Sequence, residues 1–532
     1  MKEEWMDKEV LCIFDTRQIQ RFMFRSNSYL DTLGGNDMLD DFLEKAIEYA
    51  VTHIDPPLAE DEYDLSREAD IDRVPYFVSD RVKFQIFVCA AGNAMAIVRT
   101  GALCQKIIRK ISRYYLDHAY SLNLTAAVTE KTDDLAVDMF NLYENLDAIK
   151  ASSDILDPRE TLPVVMREVR TGDPVTDFDK ENGDYVSKAS ILRRKKAGER
   201  KLLYGMNELP GTKWYDGRKY VAVIHSDGNN MGLIIGKIQR STPNYEEGII
   251  TRRRIDKNIK AIYTGVMKKT LKELEDYYVS RGGKREEFVH EFMVFHQAGD
   301  DINCMCSADL AFPYLGFLYK NLEGSTFWDE GGIRAPMYMC SGIAFVPPED
   351  SFHAAYLLAE ECCGSAKKMA KSEEHLRDGY AGNWVDFQIC ENAAKAQHLD
   401  LLRERVFFTD EQISLLLRPY CFDKEESEQP YSWENLCKRV QALRELDIDA
   451  DDMEKMRLSY SVGRNVFARW VRIMKKKGID LVENCGKPLF MADSETHKAV
   501  WFDAAELLSF FGRGGAEQEN KDRLQNTGGQ QA

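Results

Sequence analysis

The sequence predicts an α+β protein made of two ferredoxin-like domains of the split βαβ type, which form a pseudo-dimer and precede a helical C-terminal domain. One order of elements, β-α-β-β-α-β-α, occurs in residues 1–150 and again in residues 216–400. A repeat of this size implies two similar domains, each with helices on one face of an antiparallel sheet. Beyond residue 400, apolar residues recur at helical spacing.

The first repeat begins with a short apolar strand, Val10 to Phe14, which ends at Asp15. Helical stretches follow, and Gly34-Gly35-Asn36 is expected to interrupt them as a loop. The β-rich segment from Phe84 to Val98 is centred on Ala91-Gly92-Asn93-Ala94 and is typical of a hairpin. The remaining helix, strand and helix are predicted at 102–118, 122–128 and 133–150.

The second repeat has the same order. Its first strand, Tyr220 to His225, ends close to Asp227, and a long helical pattern covers residues 255–274. Apolar segments at 292–295 and 302–306 flank a tight turn and predict a hairpin. A helix at 310–322, a strand at 337–346 and a helix at 352–369 complete the repeat.

These patterns predict five regions in the chain. They are a first domain (1–150), a polar linker or insert (151–215), a second domain (216–400), a helical C-terminal domain (401–511) and a tail (512–532). The tail is rich in Gly, Gln and Asn, and we expect it to be disordered.

Composition restricts the classes of function. Of the 532 residues, 44% are hydrophobic and 30% are charged, as in ordinary soluble proteins. No run of 18 apolar residues predicts a membrane span, and the N-terminus lacks an apolar signal segment, so a cytoplasmic location is expected. The net charge of -17 argues against a long nucleic-acid footprint. Because none of the 12 cysteines forms a CxxC pair, a structural zinc ion is not expected.

The turn Ala298-Gly299-Asp300-Asp301 places two adjacent carboxylates at the tip of an otherwise apolar hairpin. Such charges are costly there unless a cation lies beside them. The preceding glycine allows a sharp turn and the close approach of a ligand. Taken alone, the turn is equally compatible with an exposed turn, in which Asp is common.

Asp227 favours a cation site over an exposed turn, because the first strand of a split βαβ sheet lies beside the central hairpin. We therefore expect Asp227, Asp300 and Asp301 to meet at one sheet edge as the catalytic residues. With Gly228 they are the predicted ligands of two divalent cations, Mg²⁺ or Mn²⁺. The loop that follows is predicted to bind nucleotide phosphates through its backbone N–H groups, and it consists of Gly228, Asn229, Asn230, Met231 and Gly232.

Lys367 and Lys371 lie one turn apart on the polar face of the last helix and are predicted to bind a triphosphate. An ordinary basic helix end, stabilised by the helix dipole, is the alternative. The first repeat keeps Asp15, but Asn93 stands in its hairpin and the carboxylate pair is missing. It is therefore predicted to bind no metal pair, while Gly34, Gly35 and Asn36 are predicted to lie against a second nucleotide.

Several segments resemble the Cmr-type large subunit of type III CRISPR complexes, and more closely the stand-alone proteins that share its second palm domain. They are Val221 to Gly232, the Ala298 to Asp301 turn, Ser341 to Ala344, Leu358 to Lys367, Trp384 to Phe387 and Arg418 to Tyr420. Ile19 to Gly35 resembles the first palm of the same family. The resemblance covers roughly residues 10–420 and is most specific in the second repeat. Ala298 replaces the first Gly of the family's GGDD turn, and Asn229 stands where the family usually has Asp.

The resemblance implies that the two ferredoxin-like domains are palm domains. It also implies a nucleotidyltransferase or cyclase that converts nucleoside triphosphates into a cyclic or short linear oligonucleotide signal in antiviral defence, with release of pyrophosphate. The implied partners are nucleoside triphosphates, a downstream effector and an RNA or phage-derived activator, with no membrane involved. A monomer and a homo-oligomer both remain open. So do two other functions: a nucleic-acid-binding subunit of a CRISPR-like effector complex, and a catalytically silent nucleotide sensor.

Overall fold

The computed structural model separates into two compact units. Unit 1 consists of residues 1–205, 231–262 and 326–335, and unit 2 consists of residues 206–230, 263–325 and 336–532. The residues that the structure describes are 3–26, 29–65, 72–90, 92–119, 121–152, 164–180, 183–199, 205–214, 217–242, 244–372, 375, 382–393, 398–409, 413–423, 429–446, 448, 450–480, 490–492 and 497–510.

The elements of residues 1–205 begin and end as follows: β1 (Val10–Arg17), α1 (Ile19–Met23), α2 (Tyr29–His53), β2 (Tyr63–Asp64), α3 (Pro75–Val78), β3 (Phe84–Ala90), β4 (Asn93–Val98), α4 (Gly101–Ala119), β5 (Asn123–Glu130), α5 (Leu135–Ser152), β6 (Asp177–Asp179), β7 (Asp184–Val186) and α6 (Lys188–Gly198).

The elements that follow along the chain are β8 (Thr212–Lys213), β9 (Lys219–Gly228), α7 (Met231–Arg240), α8 (Tyr245–Ser280), β10 (Phe292–Ala298), β11 (Asp301–Ser307), α9 (Ala311–Leu322), β12 (Thr326–Glu330), β13 (Ile333–Pro336), β14 (Met339–Val346), α10 (Phe352–Ala370), β15 (Trp384–Ile389), α11 (Leu399–Val406), β16 (Ile413–Ser414), β17 (Tyr420–Cys421), α12 (Trp433–Glu445), α13 (Ala450–Val462), α14 (Arg464–Lys476), β18 (Phe490–Ala492), β19 (His497–Ala499) and α15 (Phe502–Leu507).

The predicted α+β class and the repeated strand order are confirmed. The sheet of unit 1 has the strand order β2-β3-β4-β1-β5, and that of unit 2 has the order β10-β11-β9-β14-β15-β17. In each sheet the first strand of the repeat lies between the hairpin strands on one side and the fourth strand of the repeat on the other. This is the order of a split βαβ sheet.

The two hairpins also share an irregularity. The register of β3 with β4 shifts between Ile86 and Val88, and that of β10 with β11 shifts between Val294 and His296. The extra residue of the bulge is thus a buried phenylalanine in both repeats, Phe87 or Phe295. In both cases it lies at the same distance from the hairpin turn.

Side chains of β1 alternate between two apolar clusters on opposite faces of the unit 1 sheet. Val10, Cys12 and Phe14 pack with residues of α2 and α4, whereas Leu11 and Ile13 pack with residues of α5. The expectation that helices cover one face only is therefore wrong for this unit. The residues of β1 from Val10 to Phe14 are apolar without alternation, which is typical of a strand buried on both faces and explains the difference.

Gly34-Gly35-Asn36 does not form the predicted loop. Helix α2 runs through these residues without interruption. The physical reason is close helix packing, since a Cβ atom at Gly34 would collide with the backbone carbonyl of Arg193 on α6. The glycine allows α6 to lie directly against α2, and that contact supplies stability that a mid-helix glycine otherwise lacks.

The polar region 151–215 contains the β6–β7 hairpin and α6 among its described residues. Region 401–511 contains helices and, in addition, a small sheet of order β16-β19-β18, while β17 extends the large sheet of unit 2. The tail 512–532 lies outside the described residues. Within the described part of the chain, no helix is long and apolar enough to span a membrane.

Two neighbouring glycines provide a matched test of the α2–α6 contact. Gly34→Ala is expected to lower the free energy of unfolding by about 1–3 kcal/mol, because the methyl group forces the two helices apart. Gly35→Ala is expected to raise it by up to about 1 kcal/mol, since a Cβ there would lie 3.6 Å from the Arg193 side chain and Ala favours a helix. Urea titration measures both values. Equal effects of the two substitutions would contradict this packing.

Candidate functional site

Strand β9 is the central strand of the candidate site. It pairs antiparallel with β11, where Ile302 lies opposite Ser226, and antiparallel with β14, where Cys340 lies opposite Asp227. Because β9 and β11 run in opposite directions, the end of one meets the start of the other. Asp227 and Asp301 therefore reach the same edge of the sheet.

The hairpin turn carries Asp300 to that edge. Ala298 pairs with Asp301, which leaves Gly299 and Asp300 as a two-residue loop. Gly299 has a φ of 63°, as the first loop residue of a type II′ turn requires. A Cβ built on Gly228 would lie 2.5 Å from Asp300 Oδ2. Glycine at position 228 is thus what allows the Asp300 carboxylate to lie over the end of β9.

The three predicted catalytic carboxylates are electrostatic neighbours. Burial raises the pKa of Asp300 to about 6, and the nearby carboxylates of Asp227 and Asp301 contribute to this increase, while Lys367 opposes it. Ionisation of Asp300 therefore costs free energy, and the charges of Asp227 and Asp301 increase that cost. The edge of the sheet is an acidic cluster with one neighbouring cation.

Lys367 directly contacts Asp227 through its Nζ and Oδ2 atoms. Helix α10 brings it there by packing tightly on β14, where a Cβ at Gly342 would collide with the carbonyl of Ala359. Burial alone lowers the pKa of Lys367, but Asp227 more than compensates and the pKa is raised. Lys371 lies one turn further along, exposed at the C-cap of α10.

Asp301 is held by a polar network that the sequence-based prediction missed. Asn303 Nδ2 donates to Asp301 Oδ1 at 2.7 Å, and His225 Nδ1 lies 2.6 Å from Asn303 Oδ1. His296 Nε2 lies 3.6 Å from Asp301 Oδ2 on the other side. Strand alternation was the available signal, because His225 and Asn303 each lie two residues from a site carboxylate on the same strand.

Asn229 is turned away from the carboxylates. Its Nδ2 donates to Cys340 Sγ at 3.0 Å and to the Gly382 carbonyl at 2.9 Å, and the side chain is buried. The residue that replaces the family's Asp therefore links β9 to neighbouring segments in this structure. Among the described residues its Oδ1 has no hydrogen-bond partner.

The predicted phosphate loop connects β9 to α7. Asn230 has a positive φ of 58°, and α7 begins at Met231. Gly232 is exposed in the first turn of that helix, while Gly228 is buried at the end of β9. The loop thus leads from the acidic edge directly to a helix N-terminus, where backbone N–H groups favour anions.

Tyr263 on α8 is a second residue that sequence patterns did not reveal. Its side chain is fully buried, and among the described residues its hydroxyl has no hydrogen-bond partner. Burial raises its pKa well above the ordinary value, with further increases from Asp300 and Asp227. A buried hydroxyl without a protein partner therefore lies near two of the three carboxylates.

The chemistry of these groups fits a divalent cation. The charged donors are carboxylate oxygens, which Mg²⁺ and Mn²⁺ prefer, and the raised pKa of Asp300 reports negative charge that a cation would stabilise. In their present positions, no three His, Cys, Asp or Glu side chains of the described residues converge as a metal site. One oxygen of Asp227 is instead paired with the Lys367 ammonium.

The matching edge of unit 1 differs in one informative way. Ala90 pairs with Asn93 just as Ala298 pairs with Asp301, so Asn93 occupies the place of Asp301 and Gly92 that of Asp300. Matching Ala91-Gly92 with Ala298-Gly299 along the sequence would instead align Asn93 with Asp300, one residue away from this pairing. Strand pairing, and not that sequence match, sets the register of each hairpin. The described hairpin residues of unit 1 carry no carboxylate there.

The fold and the site define this chain as an α+β protein with two split βαβ sheets, one of which carries three carboxylates and a lysine at its central edge. No protein-family model matches the chain, and no curated protein matches it.

Among solved structures, the chain is similar to Csm1 from T. onnurineus, with 13% identity and a TM-score of 0.47, over 95% of this chain and 70% of that chain. It is also similar to the Csm1–Csm4 subcomplex of the type III-A CRISPR-Csm interference complex, with 12% identity, a TM-score of 0.47 and the same coverage. A third similar structure is the Csm1–Csm4 cassette in complex with cA3, with 11% identity, a TM-score of 0.47, and coverage of 96% and 70%. These similar structures contain a subunit of type III CRISPR complexes, the class that the sequence resembles, and the Cmr-type and stand-alone parts of that resemblance stay predictions.

The raised pKa of Asp300 predicts a pH-dependent stability. Its protonated form is favoured on folding, so Asp300 stabilises the fold below the ordinary pKa of 3.8, and this contribution is lost as the pH rises through about 6. In metal-free buffer, Asp300→Asn is expected to be neutral at pH 4 and stabilising by up to about 2 kcal/mol at pH 7.5.

Chemical denaturation across this pH range measures the difference. Asp386→Asn is the control with the opposite sign, since Asp386 accepts two hydrogen bonds from Arg403, at 2.7 and 2.8 Å, and has a lowered pKa. A stability gain from Asp300→Asn that is the same at pH 4 and pH 7.5 would show that Asp300 has an ordinary pKa.

Removal of the Tyr263 hydroxyl should not weaken the fold. Tyr263→Phe is expected to leave the free energy of unfolding unchanged or raise it by up to about 1 kcal/mol, because an unpartnered buried hydroxyl is lost. Tyr319→Phe is the matched control, as Tyr319 donates to Ser341 Oγ at 2.7 Å and should lose about 1 kcal/mol or more. Similar losses in the free energy of unfolding of both variants would show that the Tyr263 hydroxyl does form a hydrogen bond in the folded protein.

Proposed function

We propose that this chain is a palm-type nucleotidyltransferase that converts nucleoside triphosphates into a cyclic or short linear oligonucleotide. The observation that carries the proposal is the meeting of Asp227, Asp300 and Asp301 at one sheet edge, with Lys367 beside them. Carboxylates gathered at a desolvated edge are costly for a fold that does not use them. Phosphoryl transfer needs just such a set of cation ligands.

Each group has a role in the proposed reaction. A ribose hydroxyl oxygen forms a bond to the α-phosphorus, the bond to the β-phosphate oxygen breaks, pyrophosphate leaves, and the hydroxyl proton passes to solvent. Two divalent cations, when bound, activate that hydroxyl and stabilise the leaving group. Asp227, Asp300, Asp301 and the Gly228 backbone hold the cations, while Lys367 neutralises charge on the triphosphate.

The surrounding residues complete the triphosphate site. The 228–232 loop binds phosphate oxygens at the start of α7, and exposed Lys371 adds positive charge. Asn303 holds Asp301 in a fixed orientation by donating from Nδ2 to Asp301 Oδ1 at 2.7 Å. His225 in turn holds Asn303, with its Nδ1 2.6 Å from Asn303 Oδ1. Preorganised carboxylates of this kind lower the cost of assembling the site at each turnover.

The pseudo-dimer of two palm domains is part of this proposal. The first palm is assigned the binding of a second nucleotide and no metal chemistry, because Gly92 and Asn93 occupy the hairpin positions of the carboxylates. Gly34 is not assigned to this nucleotide, because it lies within α2 directly against the backbone of α6.

The biological setting is proposed from the resemblance of the sequence to the large subunit of type III CRISPR complexes. The Csm1–Csm4 cassette has been solved in complex with pppApA and with cA3. We propose the same class of product for this chain, made as a signal in antiviral defence. A downstream effector would respond to it, and an RNA or phage-derived molecule would activate the synthesis.

Loss of the turn carboxylates tests the proposed function. The purified protein is incubated with each ribo- and deoxyribonucleoside triphosphate plus Mg²⁺ or Mn²⁺, and products are identified by mass spectrometry. The double substitution Asp300→Ala and Asp301→Ala is expected to abolish product while the thermal midpoint holds or rises, because repulsion between carboxylates is relieved. Asn93→Ala is the control and is expected to change the rate by less than about tenfold.

Two results would reject this function. Near wild-type synthesis by the double variant would show that the chemistry lies elsewhere. Saturable binding of a nucleoside triphosphate by the wild-type protein, without product under any of these conditions, would identify a catalytically silent sensor.

A further inference from the structure

The Lys367–Asp227 contact recurs in unit 1. Lys150 Nζ lies 2.8 Å from Asp15 Oδ2, and Asp15 is the strand-end carboxylate that matches Asp227. Lys150 is the sixteenth residue of α5, and Lys367 is the sixteenth residue of α10. One lysine position of the last helix therefore pairs with one carboxylate position of the first strand in both repeats.

The unit 1 pair shows the same contact without carboxylates in the neighbouring hairpin residues that the structure describes. Its hairpin has Gly92 and Asn93 at the positions of Asp300 and Asp301, so Asp15 has no carboxylate neighbour there. Lys150 neutralises it in a half-buried ion pair. The lysine acts as a permanent internal counter-ion.

In unit 2 the Lys367 ammonium contacts Asp227 and lowers the pKa of Asp300, but one positive charge cannot neutralise the three carboxylates of this edge. The ammonium contacts Oδ2 of Asp227, the carboxylate expected to ligate the cations. The described residues form no ready metal site in this arrangement. A divalent cation must therefore compete with Lys367 for Asp227.

We propose that Lys367 is a displaceable counter-ion that holds Asp227 until a nucleoside triphosphate and a divalent cation arrive together. This inference rests on the proposed function. The cation takes the Asp227 carboxylate, and the ammonium moves to the triphosphate. A lysine is suited to this exchange, because its charge is a compact point on a flexible four-carbon chain.

The exchange makes binding of the two ligands interdependent. A cation alone must displace Lys367 without offering the ammonium a new anionic partner. A triphosphate alone adds negative charge to an edge that already holds three carboxylates. Each ligand lowers the free-energy cost of binding the other, so each raises the affinity for the other by the same factor. The site thus binds free Mg²⁺ or Mn²⁺ more weakly when no substrate is present.

Binding of Mn²⁺, followed by its electron paramagnetic resonance signal, tests this exchange without reference to activity. The wild-type protein is compared with Lys367→Met and Lys150→Met, each alone and with a non-hydrolysable ATP or GTP analogue. We expect the analogue to raise the Mn²⁺ affinity of the wild-type protein about tenfold or more. Lys367→Met is expected to bind Mn²⁺ about tenfold more tightly than wild type without nucleotide, and to lose most of the nucleotide dependence.

Lys150→Met is the matched control, because it removes the equivalent ion pair where no carboxylate cluster exists. It is expected to leave Mn²⁺ affinity unchanged. Lys367→Gln, which keeps a polar side chain of similar length, gives the same result as Lys367→Met if the charge is what matters, and it replaces that variant if Lys367→Met does not fold.

Further outcomes separate failure of this inference from failure of the proposed function. Equal Mn²⁺ affinity of wild type and Lys367→Met, with binding that Asp300→Asn abolishes, overturns the counter-ion and supports the metal site. If Lys150→Met raises the Mn²⁺ affinity as much as Lys367→Met does, the proposed exchange is overturned, because the effect is then not local to the carboxylate cluster. Absence of Mn²⁺ binding in every protein, with and without nucleotide, overturns both.

Discussion

The antiparallel pairing of β9 with β11 on one side and β14 on the other determines where every charged group of the site lies. Asn303 is opposite His225 in one ladder, and Cys340 is opposite Asp227 in the other. A slip of one residue would turn Asp227 to the opposite face of the sheet and separate it from the hairpin tip. The bulge at Phe295 and the two-residue turn set which residue of β10 faces which residue of β11, and they thereby place Asp300 at the hairpin tip.

Electrostatics follows from that register. Once Asp227 and the turn carboxylates share an edge, burial and mutual repulsion raise the pKa of Asp300, and Lys367 by itself cannot balance three acids. The unit 1 edge has the same backbone arrangement with one acid and one lysine, and its charges are balanced. The two repeats thus differ in charge balance more than in architecture. An acidic edge that is not fully neutralised costs the fold free energy, and such costs concentrate at functional sites.

Some segments that resemble the CRISPR family serve the fold and not the chemistry. Asp386 on β15 is fully buried and forms two hydrogen bonds with Arg403 of α11, while Arg418 stacks 4.2 Å above the ring of Phe387. Burial by itself would raise the pKa of Asp386, but Arg403 lowers it, so the pair remains ionised inside the protein. Removal of one partner would leave a buried charge, which is why such pairs stabilise the attachment of helices to a sheet.

The sequence by itself determined the order of elements, the split βαβ topology and the pairing of Asp227 with the turn carboxylates, because apolar periodicity and glycine turns are local properties. Only the tertiary structure decided that Gly34 lies within a helix, that Asn93 matches Asp301, and that Lys150 repeats the contact of Lys367. Each of these depends on residues far apart in the chain. Packing of α2 against α6 keeps Gly34 helical. The hydrogen bonds between β3 and β4 determine which residue of the first hairpin matches which residue of the second. The side chains that surround a carboxylate are set by strand register, which no local pattern encodes.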